Sequence, residues 1–90
     1  MMNRPQISDS VIDDAFVSGR DHTQKVIEKH GRQTFASRHE LLGIMVCEQR
    51  ELLKAIQDHR PIEEIRHELL DIMQICAFGV GCIDEDTMDW

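Results

Sequence analysis

Apolar residues recur every three or four positions through most of this chain, which is the spacing of amphipathic α-helices. Runs of β-branched residues are absent, and the helix-favouring residues Leu, Ile, Met, Glu, Gln and Arg dominate. We therefore predict an all-α fold of three helices. The apolar positions form three groups: Val11, Ile12, Ala15, Phe16, Val26 and Ile27; Leu41, Ile44, Met45, Leu52, Ala55 and Ile56; and Ile65, Leu69, Ile72, Ile75 and Cys76.

Capping residues predict where these helices begin and end. The first helix begins at about Ser8 or Ser10 and ends at His30, because a glycine follows where a C-cap glycine belongs. The second begins after Ser37, which forms a capping box with the glutamate three residues on, and runs to about residue 57. The third begins at Pro61 and reaches roughly Cys82.

Length and charge restrict the possible functions. Ninety residues predict one domain spanning 1–90, with residues 1–7 and 84–90 as loose arms. The net charge of −7 argues against nonspecific binding to nucleic acid or an anionic membrane. Neither a signal peptide nor a membrane-spanning apolar run is recognised, so a cytoplasmic location is expected.

Cysteine and histidine spacing does not predict a zinc site. Cys47, Cys76 and Cys82 form no CxxC pair and lie among apolar residues, so we expect reduced thiols that fill the core. His39 and His67 belong to different helices, and no His/Cys set has zinc-finger spacing.

Four acidic residues interrupt the apolar stripes. Glu48 and Glu51 fall within the second stripe, Glu68 falls within the third, and Asp71 borders it. A buried carboxylate costs several kcal/mol unless it is paired or binds a metal. Acid pairs at this spacing are common on solvated helix faces, or they pair with a basic residue one turn away, for which Arg50, Lys54 and Arg66 are available. Buried acids without such a partner need a cation.

The predicted hairpin brings these acids together in pairs. With the turn centred at 59–60, Glu51 and Glu68 are equally far from the centre, as are Glu48 and Asp71. Packed helices lie about 8–10 Å apart, so the four side chains converge on one small volume. Oxygen ligands alone favour Mg²⁺ or Mn²⁺ over zinc. We therefore predict a magnesium site at these four acids.

The tetrapeptide HELL occurs twice, at residues 39–42 and 67–70, but only the second copy belongs to this cluster. Glu40 precedes Glu48 by eight residues, which is about 12 Å along a helix. Glu40 is instead the capping-box glutamate of the second helix. The repetition has two alternative explanations: a duplicated helix, or a chance match in Leu/Glu-rich sequence.

EQRE at 48–51 and ELLD at 68–71, separated by 16 residues, resemble the ExxE…ExxD signature of MazG-like all-α nucleotide pyrophosphohydrolases. The resemblance extends upstream through EKHGRQTFASRHELLG and covers most of residues 25–83. It implies that the four acids bind Mg²⁺, and that a nucleoside triphosphate is cleaved between its α and β phosphates. The products would be a nucleoside monophosphate and pyrophosphate.

Further roles follow within that hypothesis. A carboxylate that is not fully used as a ligand could orient or deprotonate the attacking water, and Glu51 is our candidate for this catalytic role. Lys54, Arg32 and Lys29 are candidates for substrate phosphate contacts, although each could equally be a solvated surface charge.

Two positions depart from the family pattern. A glutamate often precedes the first signature acid, where this chain has Cys47, and a polar residue is common where it has Phe78. The alternative function is therefore a non-catalytic helical protein that keeps the hairpin for dimerisation or interaction.

The third helix also predicts self-association. Its apolar residues surround most of the helix, and one small chain cannot cover all of them. Two hairpins packed face to face would form a four-helix bundle, so a homodimer or tetramer is expected. The residues concerned are Leu69, Leu70, Ile72, Met73, Cys76 and Ala77.

Overall fold

The computed structural model describes residues 3–32 and 34–88, and they form three α-helices without a strand. Helix α1 spans Asp9–His30, α2 spans Arg38–Gln57 and α3 spans Ile62–Asp84. The all-α prediction is confirmed. Within the described ranges, none of the helices is long and apolar enough to cross a membrane.

The predicted caps bound the first two helices. Ser8 is the N-cap of α1, because its Oγ accepts a hydrogen bond from the amide of Val11 at 3.3 Å. Gly31 closes α1 with φ 88°, in the left-handed region that glycine tolerates best. Ser37 caps α2 through the amide of Glu40, and Glu40 Oε1 accepts from the amide of residue 36 rather than from that of Ser37 itself. Glu40 therefore has a structural role.

The third helix differs slightly from the prediction at both ends. Pro61 is its N-cap residue and not its first helical residue. The helix continues two residues beyond Cys82, to Asp84. Asp84, the first residue of the predicted C-terminal loose arm, is therefore helical. The amide and the hydroxyl of Thr87 both donate to the carbonyl of Cys82. Residues 3–7 lack regular structure, and residues 1, 2, 89 and 90 lie outside the described ranges.

Helix α3 is the central element of the fold. It packs antiparallel to α2, with the Leu41 side chain 3.5 Å from the position a Cβ would take at Gly79. Helix α1 packs on α3 and, within the described ranges, makes no packing contact with α2. Gly19 allows this approach, because a Cβ there would lie 2.7 Å from the terminal methyl of Met73. A glycine therefore lies in each of the two helix contacts of α3, on α3 itself in the contact with α2 and on α1 in the other.

The single chain has a very small core. Among the described residues, the buried apolar side chains are those of Ala55, Ile75 and Cys82. The prediction that all three cysteines fill the core is wrong for Cys47 and Cys76, which are exposed, because the single chain leaves their parts of the helix surfaces uncovered.

Large apolar side chains are exposed on every helix, including several that were predicted to lie in the apolar stripes. The total accessible surface is 7451 Å², whereas a compact chain of 10.4 kDa would expose about 5,400 Å². The radius of gyration, 15.2 Å, also exceeds the value of about 12 Å expected for this length. The large side chains of the predicted stripes that are exposed are those of Val11, Ile12, Phe16, Ile56 and Leu69.

Candidate metal centre

The four predicted acids meet where α2 and α3 pack together. Glu48 and Glu51 come from α2, while Glu68 and Asp71 come from α3. One carboxylate oxygen from each residue lies within 4.8 Å of the corresponding oxygens of the other three. The convergence expected from the hairpin register is therefore observed.

The turn between the two helices sets this register. Asp58 ends α2, and its amide donates to the carbonyl of Lys54 at 2.9 Å. His59 adopts φ 52°, and the amide of Arg60 donates to the carbonyl of Ala55 at 3.0 Å. These contacts reverse the chain within four residues, so the ExxE pair of α2 lies opposite the ExxD pair of α3.

The close approach of the four carboxylates makes their ionisation unfavourable. Burial, together with the nearby charges of Glu51 and Asp71, raises the pKa of Glu48 to about 7. Burial and the Glu51 charge likewise raise the pKa of Glu68. Oε2 of Glu48 and Oε2 of Glu68 are buried without a hydrogen-bond partner. A divalent cation would satisfy both oxygens and offset the repulsion, so the donor set fits Mg²⁺.

Arginine and lysine side chains do not neutralise the cluster, as they would if its acids formed ordinary ion pairs. Of the residues in 3–32 and 34–88, none of Arg50, Lys54 and Arg66 lies within 4.0 Å of a cluster carboxylate. Arg66 instead donates from Nη2 to Oγ of Ser18 at 3.0 Å. Ion pairing with arginine or lysine therefore does not explain the four acids.

The predicted phosphate-binding residues occupy three different places. Lys54 lines a cavity of about 200 Å³ together with Glu51 and Glu68. Lys29 lines a larger cavity, of about 600 Å³, that includes Asp71. Arg32 lines a separate cavity that none of the four acids borders. Two of the three candidates therefore share a cavity with at least one of the four acids, and the third does not.

The two departures from the family pattern also have defined surroundings. Cys47 is exposed and is not part of the acidic cluster. Phe78 packs against Phe35 of the α1–α2 connection, with ring centroids 6.0 Å apart. The position that is often polar in the family therefore has a packing role in this chain.

Sequence reasoning missed two histidines next to the cluster. Nε2 of His22 donates to Oδ1 of Asp71 at 2.6 Å, and Nε2 of His67 lies 3.6 Å from Oδ2 of the same carboxylate. The i, i+4 spacing of His67 and Asp71 is visible in the sequence. His22 could not be found in this way, because only the packing of α1 on α3 brings it there.

No family model matches the chain, and no curated protein or solved structure is significantly similar to it. The features that bear on function are therefore the geometry of the four carboxylates and the spacing of the residues that supply them.

The raised pKa of Glu48 predicts a pH-dependent stability. The folded state holds this proton more tightly than the unfolded state, where the pKa is 4.5. The resulting stabilisation is fully present below a pH of about 4.5 and is lost as the pH rises through about 7. In the presence of a chelator, the melting temperature of the wild type should therefore fall relative to that of Glu48→Gln between about pH 5 and pH 8. A constant difference across this range would contradict the assignment.

Proposed function

We propose that this protein is a Mg²⁺-dependent nucleoside triphosphate pyrophosphohydrolase. The observation that supports it best is the convergence of Glu48, Glu51, Glu68 and Asp71, with two buried oxygens that have no partner. A helical scaffold gains no stability from four like charges in a packed contact, whereas a divalent-cation site requires them. The ExxE…ExxD resemblance supplies the reaction class.

The four carboxylates would hold the metal between α2 and α3. Bound Mg²⁺ supplies charge neutralisation for a triphosphate and lowers the pKa of a coordinated water. Glu51 is the exposed member of the four, whereas the other three are partly buried. An exposed carboxylate can reach a water molecule on the substrate side, so we assign Glu51 the role of orienting or deprotonating the attacking water.

We assign contacts with the substrate phosphates to two lysines. Lys54 and Lys29 line different cavities, and each of these cavities is bordered by at least one of the four acids. Positive charge there would attract the polyphosphate and stabilise the charge that develops during cleavage. Arg32, which lines a cavity away from the acids, is a weaker candidate.

The reaction products test this function. With Mg²⁺, a panel of ribo- and deoxyribonucleoside triphosphates should include at least one that yields nucleoside monophosphate and pyrophosphate in equal amounts. Omitting Mg²⁺ or adding a chelator should stop the reaction. Nucleoside diphosphate and orthophosphate as main products would indicate a different phosphohydrolase. Failure to cleave any nucleotide would favour the non-catalytic interaction protein, which the exposed apolar side chains also support.

The active species in this proposal is a homodimer or a higher oligomer built on a four-helix bundle. The chain exposes about 2,000 Å² more surface than a compact monomer of its mass. The interfaces of obligate homodimers bury about 2,000 Å² or more in total. On α2, the exposed apolar residues recur at helical spacing, so a second copy of the hairpin could cover them. These residues are Leu42, Val46, Leu53 and Ile56.

A further inference from the structure

A second group of metal-binding side chains lies beside the four acids. One ligand atom from each of His22, His67 and Asp71 lies within 4.8 Å of the other two. The two imidazole rings meet edge to face, with centroids 5.1 Å apart. We propose that these three residues form a distinct site for a transition-metal ion of the Zn²⁺ or Co²⁺ class.

The orientation of the side chains supports this site. Both histidines direct Nε2 towards the same carboxylate, one to each of its oxygens. In a tetrahedral zinc site with bonds of about 2.0–2.1 Å, the ligand atoms lie about 3.3 Å apart. Nε2 of His22 lies 2.6 Å from Oδ1 of Asp71, and Nε2 of His67 lies 3.6 Å from Oδ2, so each histidine is near that distance from one carboxylate oxygen. A rotation of the Asp71 carboxylate that presents one oxygen to both nitrogens would admit the ion in place of the proton between His22 and Asp71.

The chemistry of the donors distinguishes this site from the magnesium site. Two imidazole nitrogens and one carboxylate favour Zn²⁺, Co²⁺ or Ni²⁺, whereas four carboxylates favour Mg²⁺ or Mn²⁺. Asp71 is common to both sets, so an ion bound by the histidines would lie next to an ion bound by the acids. The site does not depend on the proposed hydrolase activity, since the three ligands can bind a metal whether or not a nucleotide is cleaved.

Two of the three ligand side chains are mostly buried, whereas the third is exposed to solvent. The side chains of His22 and Asp71 are 13% and 24% exposed, whereas that of His67 is 61% exposed. Gly19, one turn before His22, allows α1 to approach α3 at this point. A cavity of about 600 Å³ borders all three ligands and leaves room for water or an anion as a further ligand.

Cobalt spectroscopy tests the site separately from the magnesium site. The double variant Glu51→Gln, Glu68→Gln removes two acids but keeps the three proposed ligands. Titrated with Co²⁺, it should bind one ion and develop the visible absorption of a nitrogen-coordinated site, and Zn²⁺ should displace that ion. Adding His67→Gln should weaken Co²⁺ binding by more than about 100-fold, since a directly bound ligand is lost.

Two controls decide between a metal site and a simple hydrogen bond. His59→Asn removes an exposed histidine at the α2–α3 turn and should leave Co²⁺ binding unchanged. His67→Gln alters an exposed side chain, so circular dichroism should show unchanged folding. Absence of nitrogen-coordinated Co²⁺ in the double variant, or equal binding with and without His67, would overturn the proposal. Either result would leave magnesium-dependent hydrolysis by the four acids untouched.

Discussion

Replacing Glu51 with glutamine is expected to slow magnesium-dependent pyrophosphate release by about 100- to 10,000-fold, the usual contribution of a general base. The substitution removes a metal ligand as well, so calorimetric titration should show much weaker Mg²⁺ binding. Without metal, the same variant should be more stable than the wild type, because the Glu51 charge no longer opposes the ionisation of Glu48 and Glu68.

Glu28→Gln provides the matched control for this prediction. Glu28 is an exposed glutamate of α1 and does not belong to the acidic cluster. The control should keep the wild-type rate and the wild-type affinity for Mg²⁺. If Glu51→Gln behaved in the same way as Glu28→Gln in both assays, Glu51 would have neither a catalytic nor a metal-binding role.

Introducing a lysine at Leu53 is expected to dissociate the oligomer and lower the melting temperature. In an isolated chain the Leu53 side chain is 56% exposed, so a lysine there should change the unfolding free energy by only about 0.5 kcal/mol. In a dimer that covers this stripe, the same lysine would bury a charge in an apolar contact. Sedimentation at micromolar concentration should therefore show a dimer or tetramer for the wild type and smaller species for Leu53→Lys.

Gln24→Lys controls for the added charge. Gln24 is an exposed polar residue of α1, away from the apolar stripe of α2. The control should sediment and melt like the wild type. A wild-type protein that sediments as a well-folded, active monomer would contradict the proposed bundle, as would equal behaviour of the two lysine variants.

The convergence of the acids could be predicted because it depends on helical spacing and on one turn. Glu48 and Glu51 are three residues apart, as are Glu68 and Asp71, so each pair occupies one helix face. Pro61 marks the turn, and equal distances from a turn centre between His59 and Arg60 match the two pairs. Local signals of this kind also predicted the caps at Ser8, Ser37 and Gly31, which the structure confirms.

The histidine cluster could not be predicted, because it depends on the packing of α1 against α3. His22 and Asp71 are 49 residues apart, and no local rule relates their positions. Exposure was also mispredicted: Cys76 and Leu69 follow the apolar spacing of α3, yet both are exposed in the single chain. Periodicity shows which face of a helix is apolar, but it does not show whether the same chain covers that face.

The two HELL copies offer the most direct test that the acidic cluster is a metal site. Glu68→Gln and Glu40→Gln make the same change within the same tetrapeptide, but only Glu68 belongs to the cluster, whereas Glu40 caps α2. Each variant and the wild type should be melted with and without Mg²⁺ at about 100 times the dissociation constant of the wild type. If the cluster binds the metal, Mg²⁺ should stabilise the wild type and Glu40→Gln by about 2.7 kcal/mol and leave Glu68→Gln almost unchanged. Equal stabilisation of the two variants would contradict this prediction.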